Sequence, residues 1–304
     1  MADAQNVDLP EGAWDTHIHV FEPERFPYGL PRSYTPKAAA LRDYPFGTTK
    51  ATNIVVVQAT VQGHGAGPLL SALGEGVPAT CTGVRGLTTV DPTAASDAEL
   101  DALHAAGVRG VRMHEVKWGH GDEAGAGAIG GKIKAMSERI ARLSWVVDVF
   151  TDVRTWASLD GLIRNEIDPR VKLVADHLGK PVPGDVESAD FQVFLGLVRD
   201  GYVYVKLSGF ERLYHGYEAG IDSLESAVKA LVKAGPERIL FGTDWPHTQL
   251  GVSRQGKTDE QRLTEIEDFR DVDDALHIRK LRSWIPDEQT WINLWRENPK
   301  RIFQ

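Results

Sequence analysis

Two histidines two residues apart, His17 and His19, stand in the run Trp14-Asp15-Thr16-His17-Ile18-His19-Val20. On a strand that spacing turns both imidazoles to one face. A lone strand histidine is ordinarily a packed or surface residue, whereas a pair offers two nitrogens to one ion or one substrate oxygen. A third, His177, closes the run Val171-Lys172-Leu173-Val174-Ala175-Asp176 and leads into Leu178-Gly179. Asp244 closes another in Phe241-Gly242-Thr243-Asp244-Trp245-Pro246-His247. A carboxylate at the end of an apolar strand needs a partner, because burying it alone is costly. Three imidazoles and a carboxylate, brought together, are a donor set for one divalent cation, zinc foremost, with a position left for water.

Such residues meet only if their strands share one sheet and point the same way. β-rich runs recur at 13–20, 53–59, 84–90, 108–114, 145–150, 171–177, 202–208 and 238–243. Their spacing suits a strand followed by a crossover helix. Ile54-Val55-Val56-Val57 is continuously apolar, as in a strand covered on both faces. Between the runs lie helical patterns. Ser96-Asp97-Ala98-Glu99 has the form of a capping box, with Leu100 and Leu103 following. Residues 188–199 carry Phe191, Phe194, Leu195 and Val198 on one face, and 221–234 carry Leu224, Val228, Leu231 and Val232. The expected fold is α/β, one (β/α)8 barrel domain over residues 1–304. In that fold the site lies at the C-terminal ends of the strands, where His17, His19, His177 and Asp244 fall.

Bulk properties narrow the partners. A formal net charge of −9 argues against nucleic acid or an anionic membrane, both of which call for basic surface. No apolar stretch reaches the length of a membrane span, and the first residues lack a secretory pattern, so a cytoplasmic protein with a small-molecule substrate is expected. A homo-oligomer is compatible with the sequence. The single cysteine, Cys81, excludes an internal disulfide or a Cys-rich zinc site and reads as structural. Trp291 and Trp295 read as the buried face of a terminal helix. Gly125-Ala126-Gly127-Ala128-Ile129-Gly130-Gly131 lacks the lysine and hydroxyl of a phosphate loop and reads as a flexible loop of the catalytic face.

Asp15-Thr16-His17-Ile18-His19, Asp176-His177 and Gly242-Thr243-Asp244-Trp245-Pro246-His247 together resemble the amidohydrolase superfamily. Tyr34-Thr35-Pro36, Val57-Gln58-Ala59-Thr60, Gly107-Val108-Arg109-Gly110-Val111-Arg112 and Glu211-Arg212-Leu213 are similar to its lactone-hydrolase branch, which includes 2-pyrone-4,6-dicarboxylate lactonase. The resemblance implies that Asp244 is the general base toward water. It implies that His17, His19 and His177, with Asp244, either hold a divalent metal or act without one by polarising a lactone carbonyl directly. Tyr34, Thr60, Arg112 and Arg212 correspond to residues that grip the substrate's carboxylates and ring. Arginine suits that task through its planar fork. His114 shares the face of Arg112 and is expected to bind substrate or serve the structure, while His247 is expected to contact substrate or the surroundings of Asp244.

Two departures shape the substrate expected. Trp118 stands where a second carboxylate-binding arginine is anticipated, and Phe150 where a tyrosine is anticipated. A larger, more aromatic or less charged lactone therefore fits better than a dicarboxylate. Related barrels use the same histidines and aspartate as metal-dependent decarboxylases of aromatic or unsaturated acids, which is the alternative activity. A barrel that binds a ligand without turning it over is the non-enzymatic alternative. Residues 21–52 and 249–274 break the strand–helix rhythm. As long loops after catalytic strands they are expected to face each other over the barrel mouth and fix substrate size, the alternative being a surface excursion or a subunit contact. Much of the charged 249–274 insertion is expected to stay solvated.

Overall fold

The computed structural model describes residues 7–74, 77–114 and 123–304. Its eight barrel strands are β1 (Trp14–Ile18), β2 (Asn53–Val57), β3 (Gly83–Thr88), β4 (Val108–His114), β5 (Val146–Phe150), β6 (Lys172–Ala175), β7 (Val203–Leu207) and β8 (Ile239–Phe241). Each pairs in parallel with the next in chain order. The ring closes between the two ends of the sheet. Ile18 bridges Trp245, the Asp244 amide donates to the His17 carbonyl at 2.9 Å, and the His19 amide donates to the Trp245 carbonyl at 2.7 Å. The (β/α)8 barrel expected from the strand spacing is the fold observed.

The strand pleat divides the barrel into an inner and an outer layer. Val55, Val57, Leu87, Val146, Val174, Tyr204 and Leu240 pack together with Trp14, Ile302 and Phe303 at the N-terminal end. Two residues further along three of those strands, on the same pleat face, come Asp148, Asp176 and Lys206, all fully buried. Apolar residues thus seal the floor, and charge begins above it. The alternate face packs against helices through a larger apolar cluster that includes Ile54, Val147, Phe191, Phe194 and Leu231.

Local chemistry sets the helix boundaries as the sequence indicates. Ser96 caps Asp97–Ala105 by accepting from the Glu99 amide, and the Glu99 carboxylate returns to the Ser96 amide at 2.8 Å. Ser188 caps Ala189–Arg199 by accepting from the Phe191 amide, with no carboxylate returning the bond. The glycine-rich run at 125–131 is a correction: it lies inside the helix Glu123–Ile140. Ala126, Ile129 and Ile133 are buried at helical spacing, and that packing outweighs the low helix propensity of glycine. Gly130 has a positive use there, since a Cβ at that position would lie 2.9 Å from Leu159 Cδ2.

The expected strand ends also need correction. The strands stop at Ala175 and Phe241, so His177 and Asp244 stand on the turns that follow rather than in the sheet. His177, Leu178, Asp244 and His247 adopt left-handed φ values of 50°, 58°, 68° and 66°. Non-glycine residues take that conformation at a cost, and such strain gathers at functional sites.

Segments 21–52 and 249–274 are joined to each other. Thr35–Pro36 pairs in parallel with Ile266–Glu267, Arg32 Nη2 donates to the Leu263 carbonyl at 2.7 Å, and Phe21 stacks on Phe269 at 6.2 Å. Part of the insertion's charge is turned inward, because Arg254 and Glu267 form a buried pair at 3.0 Å while Asp259 stays in solvent. Among the described residues no helix is long and apolar enough to cross a membrane.

Candidate active site

Asp15 fastens the elements that carry the site. Its carboxylate accepts from the amides of His17 and Thr243, each at 3.1 Å, from Thr243 Oγ1 at 2.6 Å and from the Tyr44 phenol at 2.8 Å. The strand holding His17 is thereby tied to the turn holding Asp244.

Around Asp244 the three histidines converge. Its Oδ1 lies 3.3 Å from His19 Nε2, 3.6 Å from His17 Nε2 and 3.9 Å from His177 Nε2. Its Oδ2 accepts a hydrogen bond from Arg212 Nε. The far side of each imidazole is anchored: His19 Nδ1 lies 2.7 Å from the Val57 carbonyl and His177 Nδ1 lies 2.8 Å from Ser208 Oγ. His17 Nδ1 faces Asp176 Oδ1 at 3.0 Å and Lys206 Nζ at 3.1 Å.

Burial and charge fix the protonation states. Burial lowers the pKa of all three histidines, outweighing the nearby carboxylates, with His17 well below its ordinary value and His177 at about 4. At Asp244 burial acts in the opposite sense, but Arg212, then His177 and His19, override it and hold the carboxyl well below the usual range. At neutral pH the site is one carboxylate ringed by three neutral imidazoles. His17 Nε2 is buried with no hydrogen-bond partner among the described residues. A tetrahedral zinc ion with bonds of about 2.0–2.1 Å sets neighbouring donors about 3.3–3.4 Å apart. His17, His19 and Asp244 lie close enough together to share such an ion, and their donor types and protonation fit it; His177 stands further out, 3.9 Å from Asp244.

Behind this ring is an ion cluster that the sequence reading did not assign. Lys206 Nζ lies 2.5 Å from Asp148 Oδ2 and 3.1 Å from Asp176 Oδ1, with all three side chains fully buried. Asp176 also groups with His17 and His177 as donors close enough to share a cation. The available signal was a lone charge inside each apolar strand, in Val146-Val147-Asp148-Val149 and Val203-Tyr204-Val205-Lys206-Leu207.

The other expected residues divide. Arg112 Nη1 donates to the Gln58 carbonyl at 3.4 Å and its Nε lies 3.8 Å from Asp176 Oδ2, leaving a buried guanidinium beside the ring. Arg212 is engaged with Asp244 and donates through Nη2 to Thr248 Oγ1 at 2.7 Å. Arg254, Arg212 and Arg112, then Thr248, act on the Tyr34 phenol, so Tyr34 stands beside the site. His114 is exposed and stacks on Phe150 at 4.7 Å, and Phe150 meets His177 edge-on at 5.3 Å. Thr60 is exposed on the 3-10 turn Thr60–Gln62. Trp118 lies outside the described residues.

His247 lies in the surroundings of Asp244, to whose backbone carbonyl its amide donates at 3.0 Å. Its ring is held between carboxylates, Nε2 at 3.2 Å from Asp274 Oδ2 and Nδ1 at 3.7 Å from Glu211 Oε1. Burial disfavours the imidazolium, yet Asp274 and Glu211 prevail and raise its pKa to about 10. A histidine with a raised folded-state pKa contributes stability that is complete below its unfolded value of about 6.5. That contribution is lost as pH rises toward 10. In urea unfolding at pH 6 and pH 10, the wild type should lose more stability than His247→Gln; equal losses would contradict the ion triad.

Gly209 supplies room for His177. It has φ +55°, and a Cβ there would lie 2.6 Å from His177 Nδ1. Gly209→Ala is expected to displace the imidazole and lower kcat/KM by about 10²-fold, as misplacements of about 1 Å do. Steady-state kinetics on the folded variant checks it.

A parallel barrel with these groups at the C-terminal ends of its strands defines a class of enzyme-like sites. The chain belongs to the Amidohydrolase family, which it matches over residues 14–303. It is 35% identical over 266 residues to a 2-pyrone-4,6-dicarboxylate hydrolase of Comamonas testosteroni, covering 80% of this chain and 79% of that protein. It is 28% identical over 304 residues to a 4-sulfomuconolactone hydrolase of Rhizobium radiobacter, covering 97% and 91%. A solved probable 2-pyrone-4,6-dicarboxylic acid hydrolase of Acinetobacter baumannii, with citric acid bound, shares the fold at TM-score 0.71 and 21% identity, covering 96% of this chain and 99% of that one.

Proposed function

We propose that this protein hydrolyses the ester bond of a small unsaturated or aromatic-derived lactone, opening it to the hydroxy acid or its keto tautomer. The carrying observation is Asp244, held by Arg212 and ringed by three imidazoles at 3.3–3.9 Å. Both named hydrolase relatives, one of a pyrone and one of a muconolactone, support that class.

In this reading water attacks the lactone carbonyl carbon while Asp244 takes one of its protons. The carbonyl π electrons move to oxygen, then return as the ring C–O bond breaks. The departing ring oxygen receives the proton that Asp244 carries. Arg112 offers a buried cation to an anionic group of the substrate, and Tyr34 offers a phenolic donor. We further propose that His17, His19, His177 and Asp244 hold one divalent cation, zinc by donor type. When bound, such an ion stabilises negative charge on oxygen and lowers the pKa of water. Behind it, Asp176 and Lys206 keep the His17 ring fixed, as outer partners of a ligating histidine do.

Three probes test the activity: 2-pyrone-4,6-dicarboxylate, 2-pyrone-5-carboxylate and dihydrocoumarin, titrated at constant pH. The expected result is net acid release equal to the ester opened, without carbon dioxide, and faster for the two less charged probes. Carbon dioxide release from the carboxylates would favour the decarboxylase alternative instead. Elemental analysis of protein purified without chelator should find about one ion per chain. Metal-free protein with full activity would remove the ion from the account.

A further inference from the structure

The insertion 249–274 reaches the site through one side chain. Arg254 places its guanidinium carbon 3.8 Å from the centroid of the Tyr34 ring. The guanidinium is itself fixed, with Nε 3.0 Å from Glu267 Oε2 and Nη2 3.0 Å from the Gln249 carbonyl. Arg254 and Glu267 side chains are only 13% and 8% exposed, so the stack is formed away from bulk water. Glu267 lies in the two-residue strand that pairs with Thr35–Pro36, directly after Tyr34 in the chain. The insertion therefore grips Tyr34 twice, by the face of its ring and by the backbone beside it.

The other end of Tyr34 faces the chemistry. Among the charges around it, Arg254, Arg212 and Arg112 act on its phenol most strongly, with Thr248 as a further polar neighbour. Thr248 Oγ1 accepts from Arg212 Nη2 at 2.7 Å, and Arg212 Nε donates to Asp244. Glu267, Arg254 and Tyr34 are thus linked on one side, and Thr248, Arg212 and the carboxylate on the other, with the Tyr34 phenol beside Thr248.

We propose that Arg254 is a positioning residue for substrate recognition: it pre-orders the Tyr34 ring so that the phenol meets the bound lactone without further ordering. The proposal rests on the lactone-hydrolase reading for its substrate but not for its geometry. A guanidinium over an aromatic face is attracted by the ring quadrupole, more strongly when desolvated. A ring held beforehand loses less freedom on binding, so the effect belongs in KM rather than in kcat.

The test compares wild type, Arg254→Met, Tyr34→Phe and the double variant, each prepared as the full chain. Methionine keeps the length of the side chain but removes charge and fork. With whichever of the three probes the wild type opens fastest, Arg254→Met should raise KM about tenfold and leave kcat within about twofold. Tyr34→Phe should raise KM similarly, and the double variant should be no worse than the worse single one, because both remove one interaction. A KM unchanged in Arg254→Met, or two effects that multiply, would overturn the proposal.

A readout without turnover separates this proposal from the function on which it rests. In protein labelled with 13C in its tyrosine rings, Tyr34→Phe identifies the Tyr34 signal. Arg254→Met should move that signal toward the position of a freely rotating ring while the other tyrosine signals stay in place. An unmoved Tyr34 signal overturns the proposal even if lactones are opened. If none of the probes is opened, the lactone reading fails, and the Tyr34 signal alone decides the role of Arg254.

Discussion

Replacing Asp244 by Asn is expected to lower kcat by about 10³-fold while leaving a folded barrel. Asparagine keeps the shape and one acceptor oxygen but cannot take a proton from water. It also removes the anion that three neutral imidazoles surround at 3.3–3.9 Å. Arg212 retains Thr248, to whose hydroxyl and carbonyl it donates at 2.7 and 3.1 Å, so its guanidinium is not left wholly unpaired. The loss should therefore appear in turnover more than in folding. Constant-pH titration of the opened lactone, with circular dichroism on the same sample, checks both halves. A folded variant within tenfold of wild-type kcat would mean that another group is the base.

The second large effect concerns the charge beneath the ring. Lys206→Met is expected to destabilise the protein by about 3–5 kcal/mol, the usual cost of removing one partner from a buried ion pair. Lys206 is the cation closest to both Asp148 and Asp176, and all three are shut from water. Burial and the neighbouring Asp176 push the Asp148 carboxyl well up, and Lys206 is what opposes them. Without the ammonium, the Asp176 carboxylate, which Lys206 helps hold well below the usual range, must take up a proton or remain buried and uncompensated. Adding Asp176→Asn should recover more than half of the loss, since it removes the stranded charge. Urea unfolding of the wild type and both variants measures this directly. A Lys206→Met protein as stable as wild type would show that the cluster carries no such energy. Because Lys206 also faces His17 Nδ1 at 3.1 Å, the variant should lose activity even where it is folded.

The four central residues were legible because their signal is local. His17 and His19 share a strand face by spacing, and His177 and Asp244 stand at the ends of apolar runs, where barrel sites form. Their backbone was less legible. Left-handed φ at His177 and Asp244 follows from tertiary contacts such as Asp15 with Thr243, which join residues far apart in sequence. Asp148, Asp176 and Lys206 form a charge cluster only after closure aligns β5, β6 and β7, so a charge in one strand gives no hint of its partner. Arg254 was hidden differently: a run dense in charge reads as solvated, and only the pairing of Ile266–Glu267 with Thr35–Pro36 turns Arg254 inward. The ion triad of His247 was hidden because its partners, Glu211 and Asp274, come from other turns of the fold. The glycine-rich helix shows the reverse error, with local propensity outweighed by the buried stripe of Ala126, Ile129 and Ile133.

The central claim is that water adds to a lactone carbonyl at the Asp244 site. Turnover of 2-pyrone-5-carboxylate or dihydrocoumarin in 18O-labelled water, followed by mass spectrometry of the product under single-turnover conditions, tests it most directly. The account predicts one 18O atom in the newly formed carboxylate, no carbon dioxide, and loss of that incorporation rate in Asp244→Asn. A product without 18O, or release of carbon dioxide from the pyrone carboxylate, would contradict it.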